Sequence, residues 1–302
     1  MTQRKADLLI AITSMAWGTS YLLMKLGLNG IEPFTLIALR FGIAFIITFI
    51  IFFRRVIKVD LKTISYSAVI GLILFGVFTG IMYGLKTTTA SSAGFLTSTT
   101  VIFVPILQSI ITRKMIKIPI IAGVLVIIAG IGLLTIGDSF VIESGSILCL
   151  LGAFLYAVHI IVTNFFTHKT DSLQLGIFQL GFAALYGLFF SLIFERPTLP
   201  STTTEWVAVL GLALVCSAFG FVVQPIAQKF TTPERTGVLF ALEPVFSALF
   251  GFVFLQEILQ LQGYIGAILV LCGVFVASIK KEENSQIPYT VKNAVVSKSD
   301  II

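Results

Sequence analysis

Charge is nearly absent from ten stretches of this chain, each about the length that crosses a bilayer as a helix. By number they run 7–28, 33–53, 65–85, 92–112, 118–137, 145–165, 172–194, 204–228, 236–256 and 261–280. A soluble fold has no means of hiding ten such runs. Of the 302 residues 57% are hydrophobic and 11% charged, against about 25% charged in globular domains. The mean hydropathy of +1.04 makes lipid the solvent for most of the chain. Each backbone group in lipid must find its partner inside the membrane-crossing structure, and the alternation of barrel strands is missing, so the spans are expected to be helices. The connections are short, and only the polar run 282–302 stands clear of the bilayer, as a tail expected to be disordered.

The ten spans are one pattern used twice. A shift of 143 residues sets Thr231, Thr232, Gly237, Leu239, Gly266 and Gly273 on Thr88, Thr89, Gly94, Leu96, Gly123 and Gly130. A shift of 139 sets Asp171, Gln179 and Gly181 on Glu32, Arg40 and Gly42, and Tyr156 and Asn164 on Trp17 and Lys25. The expected units are 1–140 and 141–281, each with five spans. An odd number makes the second copy enter the bilayer from the opposite side. The halves are then inverted repeats about an axis in the membrane plane, a symmetry typical of secondary transporters.

Basic residues set the orientation. Even-numbered loops hold Arg54, Arg55, Lys58, Lys62, Arg113, Lys114, Lys117, Lys169, Lys229 and Arg235, and the ends add Arg4, Lys5, Lys280 and Lys281. Odd-numbered loops are mostly acidic: Glu32, Asp138, Glu143, Glu195, Glu205 and Glu257. Both termini are expected in the cytoplasm. The net charge of +6 therefore reflects topology and not nucleic-acid binding.

Glu243 is the most informative single residue, because a charge at the middle of a span costs about 2.5–3.5 kcal/mol on insertion scales. Pro244 follows it and removes a backbone donor. Two roles stay open for the acid: a structural group paired with backbone or with Arg40, or the wall of a wet cavity that binds substrate or a proton. Its repeat mate is Thr100, so the second half alone carries it. Span 4 offers four hydroxyls, Thr97 to Thr100, ahead of Pro105; with Pro244 this makes a pair of expected hinges. Polar and aromatic residues at helical spacing suit a cavity wall: Trp17 and Tyr21, Tyr83, Ser98, Tyr156 and His159, and Gln224, joined by Glu243. His159 reads better as a satisfied membrane histidine than as a relay. Arg40 reads as a residue that snorkels outward or pairs with Glu32. The pairs Gly123/Gly130 and Gly266/Gly273 lie two turns apart and read as packing seams. The cysteines Cys149, Cys216 and Cys272 show neither disulfide nor metal spacing. Nucleotide loops and catalytic signatures are missing too, so an enzyme, a cofactor and a metal are not expected.

These residues resemble a known family. Ala16-Trp17-Gly18, Leu39-Arg40-Phe41, Leu242-Glu243-Pro244-Val245, Phe254-Leu255-Gln256-Glu257 and Gly266 with Gly273, set in two five-helix units, are similar to the drug/metabolite transporter superfamily of EamA type. The likeness covers about residues 8–280. It implies a central cavity between the repeats and transport of amino acids, metabolites or drugs, mostly outward and often against protons. One departure stands in the first repeat, where the family often shows a proline at the position of Val101 and an acid at that of Lys114. Pro105 is then the main hinge of that half.

The resulting expectation is an all-α polytopic membrane protein. It acts as a permease of the cytoplasmic membrane that moves a small organic solute by alternating access, in the direction of export. A lipid-linked carrier or flippase is the first rival, and a non-transporting scaffold the second. The expected partners are the solute and the lipid bilayer, without nucleic acid; protons and a homodimer stay open.

Overall fold

The computed structural model describes residues 1–88, 90–135, 144–255 and 261–278. The acids Asp138, Glu143 and Glu257 and the tail 282–302 lie outside the described residues. Among those described, every regular element is helical. Seven helical stretches are long and apolar enough to cross a membrane, and Ile118–Leu133 and Leu261–Ala277 are shorter apolar helices. The chain is thus an all-helical polytopic membrane protein built from two repeats.

Span 1 is divided into α1 (Gln3–Trp17) and α2 (Ser20–Gly27). Span 2 is α3 (Pro33–Ile51), with the short α4 (Phe53–Val56) after it, and span 3 is α5 (Leu61–Thr87). Span 4 breaks into α6 (Ala90–Ser98) and α7 (Thr100–Thr112), and span 5 is α8 (Ile118–Thr135). Spans 6 and 7 are α9 (Ser144–Thr167) and α10 (Ser172–Phe194). Span 8 runs through α11 (Thr203–Gly211), a π-helical stretch (Leu212–Phe219) and α12 (Gly220–Gln228). Span 9 breaks into α13 (Pro233–Phe240) and α14 (Glu243–Leu255), and span 10 is α15 (Leu261–Ser278).

The starts follow local chemistry. Side chains of Asp60, Asp171, Thr202 and Thr232 cap the backbone N–H groups of the helices after them. Pro33 and Pro233 stand in the first turn, where no N–H is needed.

The packing is twofold. Exchanging each span with its counterpart five places on preserves the main pairs of neighbours. Span 3 packs on span 6 as span 8 packs on span 1, and span 3 touches span 7 as span 8 touches span 2. Spans 2 and 7, 4 and 9, and 5 and 10 pack on their own mates. Spans 5 and 10 meet through glycine. A Cβ on Gly123 would stand 2.6 Å from the Gly273 carbonyl oxygen, and one on Gly130 would stand 2.7 Å from that of Gly266. Such backbone approach supplies packing in a medium where hydrophobic collapse supplies little.

Candidate functional site

Spans 4 and 9, each broken partway, pack on one another across the interface of the repeats. In span 9 the helix stops at Phe240 and restarts at Glu243, so the acid opens a helix partway along the span. Pro244 has no N–H for the carbonyl of Phe240, and the buried Ser14 hydroxyl donates to that carbonyl at 3.5 Å. In span 4 the break falls at Thr99, six residues ahead of Pro105. The hydroxyls make it: Thr99 donates to Leu96 at 2.5 Å, and Thr100 to Thr97 at 2.7 Å and across to Ala153 in span 6 at 3.0 Å. Side-chain donors to a helix's own carbonyls bend it, so the bend belongs to the hydroxyl run, with Pro105 inside α7.

Between the repeats lies a small cavity of about 30 Å³, room for water but not for a solute. Its wall includes Trp17, Tyr21, Thr97, Tyr156, Phe221 and Glu243. Trp17 is the fixed point. Its indole N–H donates to the Cys216 carbonyl in the π-helical stretch at 2.6 Å. Its ring lies 4.7 Å from that of Phe221, 4.8 Å from Phe240 and 5.9 Å from Tyr156. The Glu243 carboxylate is half-buried; the Tyr21 hydroxyl neighbours it, and Arg40 acts on it through the interior. The Thr97 and Tyr156 hydroxyls are buried without a hydrogen-bond partner. The wall is therefore aromatic, with an acid and two unused hydroxyls set into it.

Four residues named from the sequence, Trp17, Tyr21, Tyr156 and Glu243, meet at this cavity. The other four stand elsewhere. Tyr83 donates to Glu195 at 3.3 Å, near the start of α3, where Glu195 also accepts from the backbone of Phe34 and Thr35. Ser98 donates to its own helix at Gly94, and its neighbour Thr97 faces the cavity instead. Gln224 is fully buried and its amide has no partner. His159 bonds Gln179 at 3.0 Å, and the Gln179 amide donates to the Phe221 carbonyl at 2.7 Å. That carbonyl is the one Pro225 leaves without its helical donor. Gln179 therefore mends a proline break, and His159 holds the Gln179 amide through Nε2 while its own Nδ1 is buried without a partner.

Arg40 corrects its expectation. It neither snorkels nor pairs with Glu32, whose carboxylate accepts from Lys86 at 2.7 Å. Arg40 is fully buried, with its Nε bonded to Ser217 at 3.0 Å and its guanidinium 4.2 Å from the Phe78 ring. Its importance was signalled by a charge well inside an apolar window. Its depth could not be read, because loop positions and helix tilt set where seven residues into a span falls. Phe78 carried no such signal; it is one aromatic among 28 phenylalanines.

The sequence compares directly with known proteins. The model of the EamA-like transporter family matches twice, over residues 4–136 and 143–279. The chain belongs to the EamA-like transporter family. An uncharacterized transporter of Archaeoglobus fulgidus is 29% identical over 276 residues, covering 91% of this chain and 86% of its own. The uncharacterized transporter YetK of Bacillus subtilis is 26% identical over 286 residues, covering 90% and 86%. A protein of known crystal structure shares the fold with a TM-score of 0.76 at 21% identity, over 91% of this chain and 96% of its own. Membership makes this EamA-like protein a multi-pass membrane transporter, and it accounts for the two matched segments as its two repeats.

Proposed function

We propose that this transporter moves a small organic solute across the cytoplasmic membrane by alternating access, outward, with both termini in the cytoplasm. The observation that carries the reading is the small cavity between two twofold-related units, bounded by a broken helix whose first residue is Glu243. Spans 4 and 9 can exchange bends, which opens the cavity to one side and then the other. Trp17, Tyr21, Tyr156 and Glu243 contact the solute, and Glu243 is the group that couples to protons. Gly123, Gly130, Gly266 and Gly273 hold spans 5 and 10 as a fixed seam while the others rock. Export rests on the family likeness, and the cytoplasmic ends rest on the basic even-numbered loops.

A lipid-carrier reading draws on one feature. A groove of about 650 Å³ runs between spans 2 and 7, lined by Leu39, Phe45, Phe178 and Leu188 among others. It suits an acyl chain, yet its polar lining is limited to the hydroxyls of Thr35, Ser191 and Thr198, with no charged side chain for a headgroup, so the central cavity remains the preferred route.

The test uses purified protein in liposomes, screened against amino acids and cationic drugs with and without a pH gradient. Flux of at least one solute that is sensitive to Glu243→Gln and to Trp17→Ala is expected. Flux indifferent to both substitutions would rule out the central route. Accessibility labelling that places the two termini in different compartments would rule out the topology.

A further inference from the structure

We propose that Arg40 is a recognition residue for a carboxylate on the transported solute. The inference rests on the central-cavity reading above and deepens it. Arg40 is fully buried in the middle of the molecule, and neither terminal amino group of its guanidinium, Nη1 or Nη2, has a hydrogen-bond partner. The rest of the side chain is held. Ser217 accepts from Nε at 3.0 Å, while the planar group lies 4.2 Å from the centre of the Phe78 ring and 4.9 Å from that of Phe41. A fork fixed in this way, with its two outer donors unused, matches a planar anion in bidentate geometry.

A counter-ion for Glu243 is the plainer role, and the geometry argues against it as the whole account. Among the described residues the ion pairs are Lys86–Glu32 and Arg235–Asp7, and Arg40 and Glu243 approach within 4 Å of no opposite charge. A guanidinium that served only to neutralise the acid would spend its free donors on it, since an unpaired buried charge is expensive. Phe78 and Phe221 line the cavity, and Phe78 also covers Arg40. The cavity has room for water but not for a solute, so any solute must part these rings, and parting them uncovers the fork. The unbonded Thr97 and Tyr156 hydroxyls add further polar contacts on the same path.

The twofold mates sharpen the case. Gln179, the counterpart of Arg40, has its amide bonded at both ends, to His159 and to the Phe221 carbonyl. The neutral position is satisfied by the protein, whereas the charged one is left open.

The carboxylate could belong to an amino acid or to a simple organic acid, and three isosteric probes separate these. Leucine carries carboxylate and ammonium, 4-methylpentanoate carries carboxylate alone, and leucinamide lacks the carboxylate. Binding is read as the rise in unfolding temperature of the full-length protein in detergent. Wild-type protein should prefer one of the acids over the amide by about tenfold or more in affinity, the usual scale for an unpaired buried donor. Arg40→Gln should erase that preference, and Arg40→Lys, which keeps the charge and loses the fork, should reduce it several-fold. Preference for leucine adds Glu243 as the ammonium site; preference for 4-methylpentanoate assigns a plain carboxylate. An amide bound as tightly as both acids, no binding of either acid, or an unchanged preference in Arg40→Lys overturns the proposal. Should Arg40→Gln not fold, the lysine variant alone decides. Binding needs no flux. Intact acid preference with flux indifferent to Glu243→Gln would therefore count against the central route and leave the carboxylate site standing.

Discussion

The two ends of the molecule solve one problem with different groups. Lys25 of span 1 donates to the carbonyls of Leu85 and Thr88 at 2.7 and 3.0 Å, closing the end of span 3. Its mate Asn164 of span 6 donates to the carbonyls of Gln228 and Thr231 at 2.6 and 3.1 Å, closing the end of span 8. The four acceptors are themselves mates, at the shift of 143. The middle of the molecule behaves in the opposite way. Arg40 and Glu243 have the neutral counterparts Gln179 and Thr100; the Gln179 amide and the Thr100 hydroxyl are bonded within the protein, whereas Arg40 keeps both outer donors unused and neither charge forms an ion pair among the described residues. Structural ties survive a change of side chain because any donor of sufficient reach satisfies a helix end. Each buried charge is kept in one copy of its position only, Arg40 in the first unit and Glu243 in the second, which marks these two positions as places where something other than packing is served.

The comparison can be broken most severely at Glu243. Glu243→Gln is expected to lower solute flux in liposomes about tenfold or more, ~1.4 kcal/mol of barrier, and to flatten its pH dependence. Thr100→Val, at the mate, should leave the pH dependence in place while loosening the span 4 bend. Equal losses from both would mean that the asymmetry carries no function.

Next in size is Gln179→Leu. It strips the Phe221 carbonyl of its donor at the Pro225 break and leaves His159 unbonded, at an expected cost of about 1–3 kcal/mol. Thermal unfolding in detergent reads it, and an unfolding temperature equal to wild type would remove the structural account of His159.

Smaller and matched effects are expected at the helix ends. Lys25→Met and Asn164→Leu each free two carbonyls, and each should lower stability by about 1 kcal/mol. A loss at one and not the other would show that the ties are not equivalent.

The smallest effect lies outside the bilayer. Asp60 caps span 3, and the hydroxyl and backbone N–H of Thr63 hold its carboxyl below the usual carboxylate range. Thr202 caps span 8 without a charge. A depressed folded value means that the Asp60 contribution is present at neutral pH and is lost as pH falls through that value. Unfolding followed from pH 6 down to about 3 should therefore show a slight acid-side loss that Asp60→Asn removes and Thr202→Ala does not.

How far the residues alone reach is clearest at particular places. The span limits read from charge and hydropathy fall within a few residues of the helices, because lipid penalises every charge and every unpaired backbone group. Glu243 and Pro244 announced a broken helix, and Trp17 with Tyr156 announced paired walls through the duplication. Tyr83 and Ser98 shared helical faces with cavity residues, yet periodicity does not say which neighbour a face meets. Tyr83 turned to Glu195, more than 100 positions on in the chain.

What the chain determined by itself is the helical, twice-used, membrane-crossing plan, since solvent and symmetry act on composition and spacing directly. Only the tertiary structure decided that Arg40 is sealed in the centre with an open fork and that Gln179, held by His159, mends a proline break. Both facts depend on which side chains from distant spans arrive within bonding distance, a matter of helix tilt and depth that no local pattern encodes.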